Sequence, residues 1–227
     1  MIQLTALLLS LFTLQAIDPQ AIFTRYLEAT GGQAAVRAVK SRITEGVFDN
    51  GRGLRTRFRI VEEAPNRKAT IIGTDAIGGA LGSGRGYDGT SGWDKSFIGT
   101  GLRVLEGREL ADAARDADIS RALHLLDDCA TTTVASPGRT NDVTCTRTSG
   151  GIVKYSFDKQ RGLLVSQETA GSGATVRINY SEYRKVDDLT LPFKIRIQVP
   201  GATLEYAAES IKQNQPIDRI VFQRPPQ

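Results

Sequence analysis

The chain has 227 residues, 40% hydrophobic and 24% charged, which excludes a disordered chain and suits one domain with a sizeable core. The formal net charge is +4 and the pI is near 9.2, a mild basic excess that favours anionic surfaces such as lipid head groups. It gives no basis for a nucleic-acid partner, which would want clustered Lys and Arg interleaved with aromatics.

Residues 1–16 read MIQLTALLLSLFTLQA. The apolar run from Leu4 to Leu14 has the length of a signal h-region and is too short to span a bilayer. Ala16 supplies a small residue for cleavage ahead of Ile17, although no Lys or Arg precedes the run. No Cys stands at the cleavage point, so no lipid anchor is expected. A buried N-terminal helix is the alternative. The expected organisation is a signal peptide over 1–16 and one domain over 17–227, exported to the periplasm or secreted, monomeric and not membrane-spanning.

Asp18 is a good N-cap and Pro19 suits the first helical position, so a helix is expected with Ile22, Phe23, Tyr26 and Leu27 on one face, stopped by Gly31 and Gly32. A second short helix follows over Gln33–Val39. Strands then begin. In LRTRFRI, Leu54, Thr56, Phe58 and Ile60 alternate with Arg55, Arg57 and Arg59. The arginines are read as a solvated sheet face, with an anionic contact as the alternative. GRGYDG at Gly84–Gly89 formally matches the dinucleotide fingerprint, but a helix does not follow it as that motif requires. YDGTSGW reads better as two strand ends around an Asp-Gly turn.

GRELADAARDADISRALHLL places Leu110, Ala113, Ala114 and Ala117 on a narrow helical stripe. Asp118 is positioned to cap a further helical turn carrying Ile119, Leu123 and Leu126. From Cys129 onward the chain is a run of β segments. The clearest is Leu189–Val199, where Leu189, Leu191, Phe193, Ile195, Ile197 and Val199 take every second position. Such alternation belongs to an antiparallel sheet with one buried face. Pro192 lacks a ladder donor and so should face an edge or a bulge. Cys129 and Cys145 flank a turn in SPGRTND, and a hairpin in which they face each other is centred on Pro137. A cross-strand disulfide is the reading, two free thiols the alternative.

No catalytic set stands out. There is no G-x-S-x-G elbow, and the single His124 is read as a partly buried helix residue. Asp127–Asp128 and Asp187–Asp188 are sequence neighbours, whereas catalytic carboxylates converge from separate elements. Two cysteines and one histidine are too few for a metal site. No metal and no cofactor are expected, and an envelope hydrolase is the minor alternative to a non-enzyme.

The order of parts is informative: a helix ending in TGG, then YDGTSGW, a helical insertion, YSEYRKVDDLTLPFKIRI and PIDRIVFQRP. It resembles the outer-membrane lipoprotein-sorting superfamily, the LolA-like periplasmic carriers, over Tyr26–Gly32, Tyr87–Trp93, Tyr180–Ile197 and Pro216–Pro225. The resemblance implies an α+β fold, a strongly curved, incompletely closed antiparallel β-barrel with helices packed on or lidding the concave face. It implies a lipid or lipoprotein acyl chain held between sheet and helices, where about 0.8 kcal/mol per CH₂ rewards hiding it from water. Carried over by position, the cavity would be lined by Ile22, Tyr26 and Leu27 of the first helix, Leu110, Ile119 and Leu123 of the insertion, Phe58 and Trp93, and Leu191, Phe193, Ile195 and Ile197. The alternative is an interaction module of the cell envelope, with a protein partner and no lipid cargo.

Overall fold

The computed structural model describes residues 17–73, 83–95, 101–148, 150–170 and 174–225. The expected signal segment, 1–16, lies outside the described residues.

Helix α1, Pro19–Thr30, begins where the capping rule places it: the Asp18 carboxylate accepts from the Gln20 amide at 2.9 Å. It ends at Gly31, whose φ of 122° suits glycine. A Cβ there would also sit 2.2 Å from the Asp188 carbonyl, so the glycine lets the helix end press on the sheet. Helix α2 covers Gly32–Ala38, one residue ahead of its expected span.

Six strands follow: β1 Ser41–Asp49, β2 Arg55–Glu63, β3 Arg67–Ile72, β4 Ser83–Tyr87, β5 Gly92–Lys95 and β6 Leu102–Leu105. Helix α3, Gly107–Asp116, and a 3₁₀ turn, Arg121–Leu123, come next. Seven more strands complete the sheet: β7 Cys129–Ala135, β8 Thr140–Arg147, β9 Ile152–Asp158, β10 Leu164–Ala170, β11 Thr175–Val186, β12 Leu189–Val199 and β13 Ala202–Gln213. All thirteen form one antiparallel sheet in the order β6-β5-β4-β3-β2-β1-β13-β12-β11-β10-β9-β8-β7. Two meanders are therefore joined through β1 and β13. Among the described residues the sheet does not close, and β6 and β7 are its two edges. The segment carrying α3 and the 3₁₀ turn links those edges and must cross between them.

The sheet is strongly curved. Arg42, Glu62 and Lys68 from β1–β3 line the same cavity as Gln167 and Tyr180 from β10 and β11, although these strands lie far apart in the sheet order. One source of curvature is a bulge where β1 meets β13 at Glu45/Gly46, leaving Glu209 as the extra residue. A Cβ on Gly46 would lie 2.0 Å from the Ala207 carbonyl, so only glycine permits that approach.

The largest core cluster packs Ile22, Phe23 and Tyr26 of α1 against Val143, Cys145, Val153, Tyr155 and Phe157. Strand β12 spans Leu189–Val199 as its alternation predicts. Pro192 pairs with Tyr183 on the β11 side, while the β12–β13 ladder starts only at Lys194, so its missing donor faces no partner strand.

The disulfide joins Cys129 and Cys145, with Cα atoms 5.4 Å apart. The register differs from the expected one. The ladder is centred between Gly138 and Arg139, so Cys145 pairs with Thr132, and a bulge at Ala130 then brings Cys129 opposite Arg147. The hairpin turns at Ser136–Arg139 as its residues predict. His124 follows the 3₁₀ turn instead of lying in a helix, and it is exposed, its Nδ1 2.7 Å from the Asp127 carboxylate.

Candidate functional site

A cavity of about 230 Å³ lies between the concave sheet face, helices α1 and α2 and the inserted segment. One side of it is apolar. Tyr26 and Val36 come from the two N-terminal helices, Ile119, Ala122 and Leu125 from the insertion, and Leu164, Leu189 and Leu191 from the sheet. These side chains arrive together because α1 is tied to the sheet through its buried face and α2 packs Val36 against Ile119 and Leu189.

The other side is charged. Arg42, Glu62 and Lys68 project from three neighbouring strands, joined by Asp116 and Arg121 from the insertion. In register, Arg42 stands opposite Glu62 and Glu62 opposite Lys68, so the three share one face. Arg42 Nη1 lies 3.3 Å from Glu62, and Lys68 Nζ lies 4.0 Å from Glu62 and 3.0 Å from Asp116. Desolvation opposes the Lys68 charge, whereas the Asp116 side chain is 69% exposed, and each group favours the charged form of the other. Asp116 holds Lys68 above its ordinary pKa, and Lys68 holds the Asp116 carboxyl below its own. Burial pushes the Tyr26 phenol up to about 12, against the pull of Arg42 and Arg121, and raises Tyr180 and Tyr183 as well. All three are neutral donors at physiological pH. Tyr183 donates to the Leu164 carbonyl.

The sequence-expected cavity residues divide. Tyr26, Ile119 and Leu191 line the cavity. Ile22 is buried behind it in the main core, and Leu27 packs on the same cluster. Leu123 packs with Val36, Val39 and Leu189. Leu110, on α3, packs against the cluster of Tyr87 and Leu105. Phe58 joins Phe48, Ile72 and Tyr206 in a separate cluster. Ile195 and Ile197 pair with Tyr206 and Leu204, next to that cluster. Phe193 is buried beneath the Arg184 guanidinium, 4.5 Å from the ring centre.

Trp93 lies on the opposite face of the sheet. Val61, Ala69, Gly86 and Trp93 are cross-strand partners in sequence, one position out of step with Glu62 and Lys68. The chain end covers this face: Phe222 packs on Val61 and Ala69, and Trp93 Nε1 donates to the Phe222 carbonyl at 3.0 Å. The glycines of GRGYDG serve the indole, not a nucleotide. A Cβ on Gly86 would meet Trp93 Nε1 at 2.3 Å. The Asp-Gly turn forms as expected, with the Asp88 carboxylate accepting from the Thr90 and Ser91 amides.

The charged half of the cavity was not singled out from sequence. The signal existed in RIT of β1 and in VEE and RKA around the β2–β3 turn, but each reads as an ordinary wet strand. The arginine stripe of β2 does face carboxylates, Arg57 with Glu209 at 2.7 Å and Arg59 with Glu45 at 3.6 Å, as a solvated sheet face should. Asp128 lies close to both cysteine sulfurs, but these are bonded to each other and offer no thiolate to a metal, and Asp128 faces Arg115 and Arg147.

No protein-family model matches the chain, and no curated protein matches it. Solved structures do. A DUF1329 family protein from Desulfovibrio piger superposes with a TM-score of 0.60 at 12% identity, covering 91% of this chain and 98% of that one. A LolA superfamily protein from Nitrosomonas europaea gives 0.55 at 12% identity over 92% and 98% of the two chains. The fold is that of the LolA superfamily. A domain named for outer-membrane lipoprotein sorting, from Vibrio parahaemolyticus, gives 0.57 at 10% identity, covering 88% of this chain and 97% of that one. At such identities the LolA-like match carries the fold and no residue role.

Proposed function

We propose that this is an exported protein that binds the acyl chain of a lipid or lipoprotein, to carry or sense it in the cell envelope. The observation that carries the reading is the cavity between curved sheet and helices, with Val36, Ile119, Leu125, Leu164, Leu189 and Leu191 on its wall. A site of this kind removes methylenes from water in a protein that has no helix, among the described residues, long and apolar enough to cross a membrane. The LolA-like fold, shared with a domain named for lipoprotein sorting, supports the same reading. Residues 1–16 fit as its export signal and the disulfide fits an oxidising compartment.

Native mass spectrometry after gentle purification from an exporting host tests this. Excess mass that organic extraction releases as lipid, or uptake of added decanoate, is expected. A clean mass that no added acyl compound changes would overturn it.

A second reading is favoured by strand β7. Among the described residues it is an unpaired sheet edge with the sequence CATTTVA, and it carries neither a charge nor a proline to blunt it. Such an edge can accept an extended segment of an envelope protein by strand addition. A stable complex that Thr133→Pro abolishes, formed with the cavity empty, would favour this reading over the first.

A further inference from the structure

The charged half of the cavity says more about the occupant than the apolar half. At about 230 Å³ the space falls below the roughly 300–1,000 Å³ typical of pockets for drug-sized ligands. It has room for one chain, not for several.

The polar groups on its wall are unevenly satisfied. The Glu62 carboxylate is shared by Arg42 and Lys68, and Asp116 is engaged by Lys68. Asp118 accepts from the Ser120 amide at 2.8 Å. Two of the three carboxylates on the wall are thus paired with cations, while Asp118 holds one amide and no cation among the described residues. The guanidinium donors are less engaged. Arg42 Nε is buried with no hydrogen-bond partner. Arg121 donates one bond, from Nη1 to the Arg115 carbonyl at 3.2 Å, and among the described residues it faces no carboxylate within ion-pair distance. A guanidinium has five donors, so most of its capacity is unspent. Arg121 lines the cavity together with Tyr26, Lys68, Asp116 and Tyr180. The Tyr26 and Tyr180 phenols also line the space, and neither makes a hydrogen bond among the described residues.

Resting on the acyl-binding reading, we propose that the cavity takes a single-chain amphiphile with an anionic head, a carboxylate or a phosphate. The head lies against Arg121, on the wall it shares with the Arg42 guanidinium, and the chain runs along Leu125, Leu164 and Leu189. Guanidinium groups match the geometry of both oxyanions and are less strongly hydrated than an ammonium, so they suit a site that a lipid tail dries out. A cationic head would find Glu62 and Asp116 already paired with Arg42 and Lys68, leaving Asp118 alone to meet it.

Isothermal titration of the purified chain with four ligands of one chain length tests this: decanoate, decyl phosphate, decanoyl-N-methylglucamide and decyltrimethylammonium. The anionic heads should bind about 10-fold or more tighter than the other two, the margin of one charge-assisted hydrogen bond. The stronger of the two anions identifies the head. Arg121→Gln should remove the preference, and Arg121→Lys should keep part of it. Thermal unfolding of both variants confirms that they fold. Equal binding of all four heads, tightest binding of the cationic one, or an anionic preference that survives Arg121→Gln would overturn the proposal and leave acyl binding standing. Binding of none of the four would instead overturn acyl binding itself.

Discussion

Replacing Gly86 with alanine separates two accounts of the glycines in strand β4. A glycine inside a strand normally costs stability, and alanine would return up to about 1 kcal/mol if nothing stood in its way. Here Trp93 stands in its way. The new Cβ would lie 2.3 Å from Nε1, 2.4 Å from Cε2 and 2.7 Å from Cζ2 of a rigid indole. Reaching ordinary contact means a retreat of about 1 Å, away from a ring that is 2% exposed and tied to the Phe222 carbonyl. Overpacking of this kind costs about 1–3 kcal/mol. The stretched hydrogen bond adds about 1 kcal/mol. A loss of about 2–4 kcal/mol lowers Tm by roughly 4–16 °C in a chain of this size. Trp93 is the one tryptophan of the sequence, so its emission reports the displacement directly, as a red shift on entry of water. A Gly86→Ala protein with unchanged or raised Tm and unshifted emission would refute the slot for the indole.

Three further outcomes are expected. The Cys129→Ser, Cys145→Ser double variant loses the cross-link of a loop with sequence separation 16, worth about 3 kcal/mol, so calorimetry should show Tm falling by roughly 6–12 °C without a change in ligand preference. Non-reducing mass spectrometry should show no free thiol in the parent protein. Because burial raises the Tyr26 pKa to about 12 from 10.0, its contribution is fully present below pH 10 and is lost as pH rises through 12. Chemical denaturation across that window should show about 3 kcal/mol less loss for Tyr26→Phe than for the parent. Arg57→Gln should leave stability within about 0.5 kcal/mol, since Arg57 and Glu209 are 61% and 55% exposed.

How much was legible depended on how local the physics is. The Asp18 cap, the Gly31 stop and the alternation of Leu189–Val199 are written in neighbouring residues, and each element appears where those residues put it. The cysteine hairpin was half legible. Its turn lies in SPGRTND, but the ladder is centred between Gly138 and Arg139 instead of on Pro137, and no turn residue announces the further one-residue bulge at Ala130. Trp93 shows the harder limit. Alternation says that positions 92 and 93 face opposite ways, yet not which of them faces the concave side. That depends on the chain end, 129 residues away, folding over Val61 and Ala69. Phe58, Ile195 and Ile197 share a face with the cavity residues of their strands but sit nearer the cluster around Tyr206. Strand position along the barrel, unlike strand face, leaves no mark in a period-two pattern.

The charged wall of the cavity failed to register for a related reason, and its meaning comes from burial. Arg57 with Glu209 and Arg42 with Glu62 look alike in sequence, each an arginine and a glutamate on β strands. The first pair is mostly in water and needs no explanation beyond solubility. The second is 16% and 13% exposed, and removing such charges from water costs several kcal/mol that their attraction rarely returns in full. Leucines at the same places would extend the apolar wall of Leu164, Leu189 and Leu191 and stabilise the fold at least as well. A cavity selected only to hold a hydrocarbon chain would have no use for Arg42, Lys68 and Arg121. On the proposal of an anionic head, their presence is accounted for by the charge the occupant brings, and Arg121, which pairs with no carboxylate among the described residues, is where that charge is met.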